Sequence, residues 1–213
     1  MNDYIYPSLQ WFIEQNIDKI ESNQFSELYS MLNNEDDDIT SRFTELMYSL
    51  GIDPLNFMSY IPIEYLAAAP IKDFKVPSHI RLIRSCAFKE CMHLESVNFV
   101  ANRTLTTIES EAFAYCKELR QLKLHQTSLQ HVEPMLCYSC EKLEKVTLPS
   151  TVKIIDSLAF FNCKKLKEII VPKSVVSISK DAFNSAYMTK FVCMKGSYAD
   201  KYAEEHDIPC EYV

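Results

Sequence analysis

Glycine is the residue this sequence most lacks. Two stand in 213 residues, where average usage of about 7% would supply roughly fifteen. Such a chain can hold few glycine-dependent turns. P-loop and dinucleotide-binding fingerprints, which cradle phosphate on glycine-rich backbone, are excluded. No run approaches eighteen apolar residues, which rules out a membrane-spanning helix of the usual kind. Met1-Asn2-Asp3-Tyr4 carries no basic stretch and the first apolar segment is broken by Glu14. No secretory signal is therefore expected, and the expected setting is the cytoplasm. With 47% hydrophobic, 12% aromatic and 24% charged residues, the composition is globular and not that of a disordered chain.

Charge is unevenly spread within the net of -7. Residues 1–75 hold 4 Lys+Arg against 13 Asp+Glu, and residues 76–213 hold 18 against 16. Two regions of different character follow, with the acid at the front. A direct nucleic-acid binder usually carries the opposite sign, so that partner class is not expected.

The strongest signal is a period of 23 to 25 residues. From the aliphatic starts Ile83, Ile108, Val132, Ile155 and Ile178, five segments align without internal gaps. Four residues on stand Ala87-Phe88, Ala112-Phe113, Leu136-Cys137, Ala159-Phe160 and Ala182-Phe183. Eight on stand Cys91, Cys116, Cys140, Cys163 and Ala186; eleven on, Leu94, Leu119, Leu143, Leu166 and the deviant Thr189. Val97, Leu122, Val146, Ile169 and Val192 follow at fourteen, then Phe99, Leu124, Leu148, Val171 and Met194 at sixteen. Another aliphatic precedes each start by three: Ile80, Leu105, Leu129, Val152 and Val175. A sixth, degenerate copy comes first, with Ile71, Phe74 and Val76 in the last three slots and Ala68 expected in the cysteine slot. Its front half, Ile61 to Leu66, runs one residue out of step.

The alternating end of each repeat predicts a short strand whose alternate side chains point inward. Successive coils then stack about 4.8 Å apart, with phenylalanine under phenylalanine. No single coil buries its own inner face, so the stack is the folding unit.

Ile-x-x-x-Ala-Phe-x-x-Cys-x-x-Leu-x-x-Val-x-Phe, with Pro77, Pro149 or Pro172 soon after the strand, resembles the BspA-like leucine-rich repeats. The resemblance covers residues ~60–195 and implies a solenoid of about six coils, one degenerate, with parallel strands. Glycine often follows the first aliphatic in that family; here Arg84, Glu109, Glu133, Asp156 and Ser179 stand there. Many family members are secreted or surface-anchored. An acidic helical front followed by a short array of this kind also resembles small phage or prophage proteins of low-GC bacteria.

The expected organisation is an α+β repeat protein in three parts. Residues 1–58 form an acidic α-helical domain, 59–195 the repeat solenoid, and 196–213 a C-terminal cap. At the front, Leu9, Phe12, Ile13, Ile17 and Ile20 share one helical face. Phe25, Leu28, Tyr29 and Leu32 give a second stripe, and Phe43, Leu46, Met47 and Leu50 a third. Asp38 suits the N-cap of that third helix, and Gly51 its C-terminal cap. At the back, Ser197 suits the N-cap of a helix that gives way to an extended Pro209 to Val213.

No catalytic constellation survives the repeat register. Cys91, Cys116, Cys140 and Cys163 look like a metal set until each is placed in the same inward slot of a different coil. Cys137 and Cys140 form a Cys-x-x-Cys, but both are ladder positions and no second pair follows at zinc-ribbon spacing. His79, His93, His125, His131 and His206 include no His-x-x-x-His. Glu35, Asp36, Asp37 and Asp38 lack calcium-loop spacing. Asn102-Arg103-Thr104 has the N-glycosylation pattern, which a cytoplasmic chain does not use. Neither metal nor cofactor is expected.

The outward strand positions remain as a partner-binding face: Ser96 and Asn98, then Gln121, Lys123 and His125, Lys145 and Thr147, Glu168 and Ile170, and last Phe191 and Cys193. This mixed surface, ending in an exposed Phe191, suits a protein partner. The expected function is a non-enzymatic protein–protein interaction module without a membrane partner. One alternative uses Glu35, Asp36, Asp37 and Asp38 in an acidic imitation of nucleic acid, as in a phage-encoded inhibitor of a host defence or nucleic-acid-binding protein. Surface adhesion, which the family resemblance implies, is the other.

Overall fold

In a computed structural model of the chain, Leu55, residues 60–99 and residues 102–213 are described. The chain divides into two compact units, Met1–Ile61 and Pro62–Val213. The helices expected over residues 1–58, their caps at Asp38 and Gly51, and the acidic run Glu35 to Asp38 lie outside the described residues.

The elements run β1 (Tyr60–Ile61), β2 (Asp73–Lys75), β3 (Leu82–Ile83), β4 (Ser96–Asn98), β5 (Thr107–Ile108), β6 (Gln121–Lys123) and β7 (His131–Val132). They continue with β8 (Lys145–Thr147), β9 (Ile154–Ile155), β10 (Glu168–Ile170), β11 (Ser177–Ile178), β12 (Lys190–Cys193), helix α1 (Tyr198–Glu205) and β13 (Cys210–Tyr212). The long strands form one sheet of seven in the order β13-β12-β10-β8-β6-β4-β2. All its pairings are parallel. The short strands make separate ladders, β3 with β5 and β7-β9-β11. The result is a parallel β-solenoid of about seven turns, one more than the repeat count implies, because β13 adds a strand beyond the last coil.

The inward slots are filled as the register requires. Phe88, Phe113, Phe160, Cys91, Cys116, Cys140, Cys163, Leu94, Leu119, Leu143 and Leu166 are all fully buried. Phe88 stacks on Phe113 with centroids 5.1 Å apart, and Phe160 on Phe183 at 5.3 Å. Cys137, in the ring slot between Phe113 and Phe160, splits the ladder into these two pairs. After each strand an i→i+3 bond turns the chain, to Pro77 from Ile80, to Pro149 from Val152 and to Pro172 from Val175. Asn102 takes the proline slot of its coil, and its Nδ2 donates to the Pro77 carbonyl at 3.0 Å. Fully buried and so bonded, Asn102 is no glycan acceptor in the folded chain, whatever the compartment.

Scarce glycine does not spare the backbone. Among the described residues, twelve other than glycine have positive φ, among them Cys86 and Glu90, Glu111 and Tyr115, Met135 and Ser139, Leu158 and Asn162, two per coil and four residues apart. The amides of Cys86, Phe88 and Glu90 donate to the carbonyls of Ser110, Ala112 and Ala114 in the next coil. The same triplet recurs from Glu111, Phe113 and Tyr115. The left-handed residues turn alternate amides toward one neighbour, and an inter-coil bond offsets a conformation that disfavours a Cβ.

Two register expectations are corrected. In the degenerate copy, Ala68 has φ 56 and donates to Lys89, which aligns it with Glu90. Ala69, bonded to the Leu66 carbonyl as Cys91 is to Phe88, takes the cysteine slot. In the last coil, Phe191 and not Val192 pairs with Ile169, and Val192 pairs with Ile170. One residue is missing after Thr189, which is buried in the leucine slot with its hydroxyl donating to the carbonyls of Leu166 and Ala186. Phe191 and Cys193 therefore point inward with no exposed surface, while Met194, expected inside, is exposed.

The C-terminal cap follows expectation. Ser197 caps α1, its side chain accepting the Asp200 N–H at 3.3 Å. Ala199, Tyr202 and Ala203 are buried, with the Tyr202 ring stacked on Phe191 and its hydroxyl donating to the Ser179 carbonyl. Gly196, at φ 77, makes the turn into the helix.

Candidate functional site

Register places the outward side chains of the seven-stranded sheet in columns. One runs Asp73, Ser96, Gln121, Lys145, Glu168 and Lys190; the next runs Lys75, Asn98, Lys123, Thr147, Ile170 and Val192. Of the residues expected on this face, Gln121, Lys123 and His125 are exposed, and Lys145, Thr147, Glu168 and Ile170 are half-buried. Phe191 is removed from the face by the one-residue shift; Lys190, half-buried, and Val192, buried, take those register positions instead.

Much of the column charge is spent within the sheet. Ser96 Oγ donates to Asp73 Oδ1, Lys145 forms an ion pair with Glu168, and Lys190 pairs with Glu211 at 2.5 Å. The Glu211 carboxylate holds the Lys190 ammonium above its ordinary value, and Lys190 holds Glu211 below its own. The flank is laced in the same way: Lys89 to Glu111, Lys142 to Glu118 and Lys164 to Glu141 each join neighbouring coils. Exposed pairs of this kind contribute little each. Their effect is to tie each coil to the next along the flank.

Lys123 and His125 make no ion pair among the described residues. They line a groove of about 550 Å³ with Ser96, Asn98, Arg120 and Gln121, and with the carboxylates of Asp73 and Glu95. The groove thus gathers Gln121, Lys123 and His125 from the expected face, and leaves Lys145, Thr147, Glu168 and Ile170 on the sheet beyond it. Arg120, also at the rim, reaches Glu144 only at 4.0 Å; its position just before β6 carried no signal in the repeat pattern.

Residues 59–190 match the BspA type leucine-rich repeat region in 6 copies. The chain belongs to the BspA-type leucine-rich repeat family. Among solved structures it is similar to a leucine rich cell surface protein from Faecalibacterium prausnitzii, at 25% identity and TM-score 0.55, covering 62% of this chain and 34% of that one. It is also similar to the leucine rich repeat protein of T. pallidum, at 22% identity and TM-score 0.48, covering 62% and 66%. The chain spans about a third of the length of the F. prausnitzii protein. A comparison with curated protein sequences gave no match.

A second aromatic row escaped the repeat reading. Tyr115, Tyr138 and Phe161, 23 residues apart, are half-buried. Centroids lie 5.3 Å apart for Tyr115 and Tyr138 and 4.9 Å for Tyr138 and Phe161. Their even spacing was the available signal, masked by the one-residue offset of Tyr115 within its repeat.

The thiols of the cysteine slot are occupied. Cys91, Cys116, Cys140 and Cys163 donate to the carbonyls of Leu66, Phe88, Phe113 and Cys137 in the preceding coil, at 2.8 to 3.2 Å. Burial pushes the Cys116, Cys137 and Cys163 thiols well above their ordinary range. Protonated, bonded and inaccessible, these thiols offer no nucleophile.

Proposed function

We propose that this chain is a non-enzymatic protein-interaction module, whose outward sheet face binds a protein partner through the groove around Lys123 and His125. One observation carries the reading: the groove lies where the expected partner face coincides with basic groups left unpaired by the inter-coil ladders. A rigid stack presents those groups with little ordering cost. The reading keeps the chain in a reducing cytoplasm, where eight cysteines stay as thiols.

Similarity to a leucine rich cell surface protein favours a second reading, surface display with the same face outward. Capture from host lysate by the full chain, its Lys123→Glu variant and a triple Asp36→Asn, Asp37→Asn, Asp38→Asn variant tests the proposal. Lys123→Glu is expected to lose a partner that the triple variant retains. The reverse pattern sinks the groove in favour of acidic mimicry, and recovery of the chain outside producing cells favours display.

A further inference from the structure

Three elements converge where the array ends. β12 finishes on Cys193, the first turn of α1 supplies Asp200, and β13 begins on Cys210. Parallel pairing sets Phe191 opposite Cys210 and Cys193 opposite Tyr212, so the two cysteines are diagonal neighbours on adjacent strands. Their sulfurs lie 3.9 Å apart. One carboxylate oxygen of Asp200 and both sulfurs all fall within 4.8 Å of one another. Cys193 is fully buried and the other two are half-buried. The carboxylate is also held from the turn before the helix, where Oδ2 accepts the Gly196 N–H at 2.7 Å.

We infer that Cys193, Asp200 and Cys210 form a three-ligand site for a zinc-class divalent cation, which ties the terminal strand to the last coil. Two thiolates and one carboxylate suit zinc, and the fourth tetrahedral position is left to water. Zn–S bonds of about 2.3 Å at tetrahedral angles set two sulfurs about 3.8 Å apart, close to the spacing found. A disulfide needs about 2.05 Å, so the sulfurs would have to close by nearly half. Burial, then the neighbouring Cys193 and Asp200, push the Cys210 thiol up to about 12. A bound cation reverses that balance: two thiol protons leave as the metal bonds to both sulfurs. Spacings of seven and ten residues match no sequence pattern for metal, which is why the chain read as metal-free.

Titrating the reduced full chain with Co²⁺ tests the site. A thiolate-to-cobalt charge-transfer band saturating at one equivalent and displaced by Zn²⁺ is expected, together with a melting temperature raised by Zn²⁺. Asp200→Asn keeps an acceptor for the helix cap and should weaken Co²⁺ binding about 10–100-fold. Cys210→Ser, at a half-exposed position, should abolish the band. A band surviving in Cys210→Ser, no band in the wild-type chain with both thiols reduced, or a melting temperature indifferent to Zn²⁺ overturns the site. So does a chain that forms a Cys193–Cys210 disulfide in air despite excess Zn²⁺.

Discussion

The Cys116 thiol donates to the Phe88 carbonyl oxygen at 3.1 Å, across the boundary between two coils. That carbonyl also accepts the Cys91 N–H within its own coil. In the four central coils the slot therefore holds a residue that is small, apolar in bulk and still a donor, where Ala69 and Ala186 fill it at the two ends. Cys116→Ala removes the donor and leaves a void, and should cost about 1–3 kcal/mol. A lower urea midpoint at unchanged slope is the readout.

Stability should fall on the alkaline side. The buried Cys116, Cys137 and Cys163 thiols have folded values raised above the unfolded one. Folding favours their protonated form. The contribution is complete below the unfolded thiol value of about 8.5 and is lost as pH climbs from there toward the folded values. Urea midpoints across neutral to alkaline pH should decline above that point, and less steeply in Cys163→Ala.

Phe191 separates the two possible registers of the last coil. Fully buried against Phe183 and Tyr202, it should cost about 3–5 kcal/mol on truncation to Ala. An exposed ring would cost within about 0.5 kcal/mol. Met194→Ala, at an exposed position, should be near neutral by the same melting assay.

Glu90 sits at φ 61 with its amide bonded to Ala114. Glycine there relieves a conformational cost of about 1–2 kcal/mol against roughly 0.5–1 kcal/mol of extra chain entropy. Glu90→Gly should therefore be stabilising by about 0.5 kcal/mol and Glu90→Val destabilising. Equal losses for both in chemical denaturation would contradict the left-handed assignment.

Core slots were legible because each recurs, and burial acts on side-chain type alone: Phe113, Leu119 and Leu122 are interchangeable with their counterparts one period away. Slots with a single instance were not. Thr189 replaces leucine only because its hydroxyl finds the Leu166 and Ala186 carbonyls, and the deletion beside it is invisible to a count along the chain. Lys123 belonged to the expected face from its position in the strand. Its lack of an ion-pair partner among the described residues emerged only when the Lys145–Glu168 and Lys190–Glu211 pairs were in place.

The chain alone determined a stack of parallel coils with thiols, rings and leucines inside, since periodic burial leaves a periodic mark on residue choice. Tertiary structure decided the last coil's register, the left-handed turns without glycine, the groove, and the meeting of Cys193, Asp200 and Cys210. These depend on which hydrogen bonds and side-chain contacts form between coils, and a pattern of burial along the chain does not record those.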